Sequence, residues 1–509
     1  TELCLLLAIC LLFAVNVSFY FDFTADDAGI TFRYAVNLFS GRGLTYNPGV
    51  RVEGYSNFGY VVLSGLVYKA MQVFLSDARP YLVFVMKLLN IAAATCAIIL
   101  CYCFVRKKLG KPGLSAISAA LLLSVNGAFV NNTSSPLETS TYTLLLMCLV
   151  YQSVSPHPGS KKARGSSDML FLLTAIVFSL WRIDAPLLAG VVLATGPLVR
   201  GARKMRRQVR IGVAWFGVYL VYTVARFSYF GNIFPNPFYS KIAVGFHSPL
   251  RTEYTNLYFT HLGDNALIFL ALFAFAAMLD FKRYLLPFLL IAAQWIYISM
   301  VGGDWMTGFR FWAPLTPCMC ILIVAVFDRP FRNLSRRMEQ IMKAILFTAI
   351  AFWWCASTVT MYGFGGKEPV FFWKDLSSKE VVRLNPYWET ARWLRSHANE
   401  DAVMAVAEGG YLPFLTGLTT IDTYGLCDPA LARMPGTRGR LGLSVLWMPG
   451  DPGTGYILRR RPDLIVYGPE KDNLGPCWMG KYLLVKSFEN GMHVYMRKGS
   501  SALKNRSDL

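Results

Sequence analysis

Charge is scarce in this chain. Only 16% of its 509 residues are Asp, Glu, Lys or Arg, while 54% are hydrophobic; an average soluble domain carries about a quarter charged. That balance excludes an ordinary soluble enzyme and makes the lipid bilayer an expected partner. Acids are scarcer than bases, 30 against 50, for a formal net charge of +20. The basic residues fall in short bursts between apolar runs, as membrane topology would put them, which argues against nucleic acid. Histidine is nearly absent, with five in the chain, and no Cys/His spacing suits a metal. Neither a nucleotide-type glycine loop nor a nucleophile elbow is present. Nine of the eleven cysteines lie in apolar runs, where they read as small buried hydrophobes. Only Cys427 and Cys477 lie outside them, and an oxidising compartment would permit them to pair.

What is present is a series of apolar runs. Eleven approach the roughly 20 residues of helix that cross a bilayer core: 1–20, 81–105, 114–131, 139–153, 168–181, 184–199, 209–229, 265–280, 284–301, 310–327 and 344–362. The first lacks a small-residue cleavage site and is expected to be a retained helix. Segment 57–75 decides the orientation. Counted as a span, it reverses every later loop; read as an interfacial helix with Lys69 in its middle, it leaves Arg106, Lys107, Lys108, Lys111 and the later basic loops in the cytoplasm. The N-terminus is then cytoplasmic. The expected fold is a polytopic α-helical membrane domain, 1–362, with a first outer loop 21–80, followed by an extracytoplasmic soluble α/β domain, 363–509. In that domain 386–397 reads as an amphipathic helix, and 402–407, 464–467, 482–485 and 493–496 read as strands.

This topology gathers awkward polar groups on the outer face. They are Asp26 and Asp27 after the first span, then Arg33, Glu53, Tyr55 and Asn57, then Glu138, Arg182 and Asp184. Asn236, Tyr239, Lys241, Asp304, Trp305 and Arg310 follow. Ionisable residues collected at one membrane face suggest a site. Adjacent carboxylates suit proton transfer, and can also hold Mg²⁺ or Mn²⁺; the plain alternative is a helix cap. Arg182, Lys241 and Arg310 suit phosphate oxygens, with Asp184 or Asp304 orienting them. Arg182 and Asp184 can equally just pair with each other. In the soluble domain Tyr411, Asp422, Tyr424 and Asp428 are expected as exposed acceptor-binding groups, or, for the two acids, as turn formers beside Gly425 and Pro429.

The run 26–57, which contains DDAGITFRY, GRGLTYNPG and VEGYSN, resembles the first outer loop of bacterial GT-C glycosyltransferases related to the mycobacterial terminal β-(1→2) arabinofuranosyltransferase. WRIDAP, NPFYSK, GGDWMTGFRF, AVAEGGYLPFLTGLTTIDTYGLCDP and LRRRPDLIVYG continue the same family pattern in the same order. The resemblance implies an inner-membrane transferase that moves a sugar, arabinofuranose, from a polyprenyl phosphate donor to a cell-envelope glycan or glycoconjugate at the periplasmic face. Another polyprenyl phosphate sugar, a hexose or aminosugar, is the alternative. A lipid-linked sugar transporter is more remote, because the inverted repeats and broken midplane helices of transporters are not evident. The chain departs from the family at Gly442-Leu443-Ser444-Val445-Leu446-Trp447, where a Gly-His-Glu-Lys-like stretch is common, and this bears on the acceptor. In the implied reaction Asp26 is expected as base and Asp27 as its orienting neighbour. A donor with one phosphate calls for no obligatory metal or other cofactor.

Overall fold

The computed structural model describes residues 2–21, 23–154, 161–200, 202–242, 253–262, 266–304, 308–327, 334–360, 387–407, 409–434, 452–468, 479–489 and 491–504. The helices begin with α1 Glu2–Ser18, α2 Asp27–Phe39, α3 Phe58–Met71, α4 Arg79–Cys103, α5 Gly113–Val125 and α6 Gly127–Ser134. They continue with α7 Thr139–Ser153, α8 Lys161–Ser179, α9 Ala185–Arg200, α10 Ala202–Phe230, α11 Asn236–Ile242 and α12 Glu253–Leu262. Next come α13 Ala266–Leu279, α14 Phe281–Val301, α15 Thr316–Phe327 and α16 Arg336–Thr360. The C-terminal region contains α17 Tyr387–His397, β1 Val403–Val406, α18 Tyr411–Thr416, β2 Thr419–Asp422 and α19 Pro429–Arg433. It ends with α20 Pro452–Arg459, β3 Leu464–Tyr467, β4 Tyr482–Ser487 and β5 His493–Arg497.

Every apolar run read from the sequence contains a helix. By length and apolarity, three helices among the described residues can cross a membrane: Arg79–Lys108, Met205–Phe230 and Phe281–Val301. The pair α5 and α6 makes a fourth if its 56° bend belongs to one span. That bend has a local cause. Asn126 leaves the helical conformation and its side chain accepts the Phe129 amide at 3.1 Å, so one helix stops and the next is capped at the same residue. Helix α14 ends at Gly302, whose φ of 83° is the left-handed stop favoured by glycine.

The chain divides into two compact units. The first comprises Thr1–Phe23, Met86–Tyr222 and Pro249–Val381; the second comprises Thr24–Val85, Thr223–Ser248 and Val382–Leu509. The first is a helical assembly around one apolar core, in which Phe13 meets Phe129 and Trp312 is enclosed by Tyr258, Phe259 and Trp295. In the second, a five-stranded sheet of order β2-β1-β3-β5-β4 is parallel across β2, β1 and β3 and antiparallel at β5 and β4. Four of its strands lie where alternation and apolar runs placed them. The strand β2 was not foreseen, because its sequence Thr-Thr-Ile-Asp lacks an apolar run.

The second unit also includes the segment expected as the first outer loop. Within it, α2 is unforeseen. Residues 28–37 are buried on every side of this helix, so no polar face marks it in the sequence. Helix α3 lies inside the segment read as interfacial. The N-terminus of α2 meets the segment before α18 backbone to backbone: a Cβ on Gly29 would overlap Gly410, and one on Gly410 would overlap Asp26. Both glycines are present because nothing larger fits. Gly29→Ala is therefore expected to destabilise the protein by about 1–3 kcal/mol, the usual cost of overpacking; Gly41→Ala, which meets open space but has a φ of 76°, provides a control for backbone strain alone. Thermal unfolding of the detergent-solubilised protein checks the difference.

Candidate functional site

In the second unit, the acid pair splits into two roles. Asp26 Oδ2 accepts the Gly410 amide at 2.9 Å and Oδ1 accepts the Tyr411 amide at 2.8 Å. These amides follow the carboxyl end of β1. That is where the strand order reverses, since the chain passes from β1 to β2 on one side and then to β3 on the other. Doubly wound sheets usually leave such a place open for a ligand; here Asp26 fills it. The two amide donors engage both oxygens of the carboxylate. Asp27 stands one residue on, half-buried in the first turn of α2.

Arg33 fastens the other end of the same contact. Its Nε donates to Tyr46 O at 2.7 Å, Nη1 to Pro413 O at 2.5 Å, and Nη2 to Asn47 Oδ1 at 2.9 Å and Leu418 O at 2.7 Å. The guanidinium also lies 4.4 Å from the centre of the Tyr46 ring. Tyr46 donates to Gly409 O at 2.5 Å, and Asn47 exchanges hydrogen bonds with Thr420. Arg33 is thus a buried tie between α2 and the α18–β2 segment.

The four groups expected as exposed acceptor contacts require correction. Tyr411, Asp422 and Asp428 are buried and Tyr424 is half-buried. The Tyr411 ring packs against Phe32 and Phe414. Asp422 accepts the amides of Tyr424 at 3.0 Å and Cys427 at 2.7 Å. Asp428 caps α19 through Ala430 and Leu431, receives the Tyr456 hydroxyl and pairs with Arg460 at 2.9 Å. The two acids shape turns, as Gly425 and Pro429 beside them allow. Burial pushes the Asp422 carboxyl up to about 7 against the pull of its two amides; the nearby charges of Asp428 and Asp27 push the same way as burial.

The VEGYSN and NPFYSK segments also meet in this unit. Glu53 pairs with Arg226 at 2.6 Å, and its carbonyl accepts the Asn236 amide at 2.7 Å. Burial drives the Glu53 carboxyl up to about 7 although Arg226 opposes it. Asn236 Nδ2 donates to Gly425 O and Leu426 O at 2.8 and 3.1 Å. Arg433 donates to Asn232 at 2.7 Å and lies 4.3 Å from the centre of the Tyr239 ring. Tyr55 is buried edge-on against Tyr34 at 4.9 Å, and Asn57 accepts from Thr31 at 3.2 Å. Lys241 lies on α11, its side chain outside the described residues. Arg226 and Arg433 were missed by sequence reasoning. One closes an apolar run like any interfacial arginine, and the other lies in no motif.

In the first unit, WRIDAP and the GGDWMTGFRF segment form a separate polar knot. Arg182 Nε and Nη2 donate to the two oxygens of Asp184 at 2.9 and 3.2 Å. Glu138 lies 3.9 Å from Nε. The guanidinium stands 5.0 Å from the ring centres of both Tyr142 and Phe311. Gln294 joins Asp184 Oδ2 at 3.1 Å to Phe311 O at 2.9 Å. Arg310 pairs with Asp304 at 2.8 Å, while Trp305 and Cys477 lie outside the described residues. One arginine facing two carboxylates leaves the Arg182 group without a positive excess. Its geometry is that of a buried ion pair. No group of His, Cys, Asp and Glu among the described residues is arranged to hold a metal ion.

Residues 375–503 match a family model described as a Domain of unknown function (DUF8728). No curated protein matches the chain. Among solved structures, the chain resembles the crystal structure of ArnT from Cupriavidus metallidurans bound to undecaprenyl phosphate, with a TM-score of 0.60, 15% identity and 98% of both chains covered. The apo state of ArnT from Cupriavidus metallidurans matches with a TM-score of 0.57, 14% identity and 97% of both chains covered. The chain shares the fold of these ArnT structures along nearly its whole length.

Asp422 has a measurable consequence. With a folded-state value of about 7 against 3.8 ordinarily, the folded protein keeps a proton that the unfolded chain loses. Stability from this group is full below about pH 4 and is lost as pH rises towards about 7. The unfolding temperature of the wild type is therefore expected to fall relative to Asp422→Asn between pH 5 and 7, by on the order of a few degrees. Parallel pH profiles of the two proteins would exclude the assignment.

Proposed function

We propose that the protein is a GT-C glycosyltransferase that takes a sugar from a polyprenyl phosphate donor and passes it to a cell-envelope acceptor at the outer face of the inner membrane. The observation that carries this reading is the fold match over 98% of both chains to ArnT bound to undecaprenyl phosphate. A match of that extent aligns the membrane helices and the sheet-containing region together, and a polyprenyl phosphate is the leaving group that such a reaction releases. The order of family-like motifs supports it independently. On the same resemblance the sugar is arabinofuranose. The departure at 442–447 leaves a hexose or aminosugar donor, with a different acceptor, as the second reading.

The chemistry follows from the two acids. An acceptor hydroxyl is a poor nucleophile until a base within reach takes its proton as the new O–C bond forms at the anomeric carbon. Asp26 is committed to two amides, so Asp27 is the base and Asp26 the anchor that places it. This reverses the order expected from sequence. The bond from the anomeric carbon to the phosphate oxygen breaks, its electron pair leaves on the lipid phosphate, and direct displacement inverts the anomeric centre. The developing charge needs cations not already neutralised by acids. Arg182 and Arg310 each hold a carboxylate, so the role is assigned to Lys241 on α11, whose ammonium suits a phosphate oxygen as a point charge. A leaving group with one phosphate requires no divalent ion to bridge it.

Purified protein supplied with polyprenyl phosphate arabinofuranose and an arabinan-like acceptor is expected to form product. Asp27→Asn should lower turnover by about 10²–10⁴-fold, the contribution of a general base, while the purified variant still unfolds cooperatively. Asp26→Asn should chiefly lower the unfolding temperature. Full turnover in Asp27→Asn would remove it as base. Failure with this donor but turnover with another polyprenyl phosphate sugar would keep the mechanism and reject arabinose.

A further inference from the structure

Three arginines of the second unit, Arg33, Arg42 and Arg79, line one small pocket with Asn37, Pro413 and Gly417. Like charges gathered without a counter-ion repel unless an anion offsets them. Arg33 is the buried floor, and all its acceptors are carbonyl or amide oxygens. Arg79 lies with Nη1 against Gly417, where φ is +75°. Asp77, two residues before Arg79, is already engaged: its Oδ1 takes the Arg79 backbone amide and its Oδ2 pairs with Arg395 at 2.5 Å. Among the described residues the guanidinium groups of Arg42 and Arg79 have no hydrogen-bonded or carboxylate partner. Capping of helix ends explains only Arg33, which holds the Pro413 carbonyl in α18.

The surroundings indicate the source of an anion. Arg79 opens the 30-residue apolar helix Arg79–Lys108, one of the three able to cross a membrane. The turn before it presents Val73 and Phe74, 76% and 85% exposed, and Leu66 on α3 is 55% exposed. Apolar side chains of that size left in the open mark a membrane-facing surface. A guanidinium at the edge of such a surface matches a phosphodiester oxygen in charge and geometry. We propose that Arg42 and Arg79, with Arg33 behind them, form a phosphate site that takes the headgroup of an anionic phospholipid at the membrane edge. The site is separate from the acids and cations assigned to transfer. Arg42 is the exposed member of the three, Arg79 is half-buried and Arg33 is buried, so a phosphate at the surface meets Arg42 first.

The test uses the full chain, delipidated in neutral detergent and titrated separately with phosphatidylglycerol, phosphatidylcholine and inorganic phosphate, with unfolding temperature as the readout. Phosphatidylglycerol is expected to stabilise the wild type and phosphatidylcholine to have little effect. Half-saturation should rise roughly tenfold in Arg42→Gln and again in Arg79→Gln, as expected when one charge-assisted hydrogen bond is lost. Arg459→Gln should titrate as wild type. Equal response of wild type and Arg42→Gln overturns the site, and because Arg42 is exposed, that variant tests it even if Arg79→Gln fails to fold. Equal stabilisation by the two lipids also overturns it. Saturation by inorganic phosphate with the same arginine dependence, and no added effect of lipid, overturns the lipid source.

Discussion

The second unit depends on one carboxylate in the place where its sheet would otherwise bind a ligand. The amides of Gly410 and Tyr411 follow β1 at the reversal of strand order, and Asp26 accepts both. Such amides carry partial positive charge and prefer an anion. Because the anion comes from residue 26 and the amides from residues 410 and 411, the bond joins the chain across nearly its whole length. Gly29 and Gly410 let the backbones approach closely enough for it to form. Arg33 then repeats the connection at the other end of α18.

The motifs in this unit are therefore the parts of one joint. DDAGITFRY supplies Asp26, Gly29 and Arg33, and the segment after β1 supplies the amides and carbonyls that receive them. NPG supplies Asn47 for Thr420 in β2. Gly54 leaves room for the Cys427 sulfur, and Asn236 closes on Gly425 and Leu426. A buried amide or guanidinium must be fully satisfied or its desolvation is lost outright, about 1–3 kcal/mol for each orphaned group and more when charged. That makes the joint specific as well as stable.

The same accounting distributes the chemistry. Arg182, Arg226, Arg310 and Arg460 each meet a carboxylate within their own unit, so their charge is largely spent on structure. The proposed base Asp27, the proposed donor contact Lys241 on α11 and the proposed three-arginine site at the start of α4 lie outside these four pairs.

The sequence by itself determined the apolar helices and four of the five described strands. Hydrophobic length and alternation are local properties, written in consecutive residues. Tertiary structure decided the rest. Helix α2 is buried on all sides and shows no periodic polar face, and β2 is held by pairing with β1 rather than by its own residues. That Asp26 meets the amides of Gly410 and Tyr411, and that Asp422 and Asp428 turn the chain, depended on amides hundreds of residues away or on the path of a loop. Those partners carry no signal in a neighbouring sequence window, because every residue but proline offers the same backbone N–H, and only folding selects which one is unpaired and near.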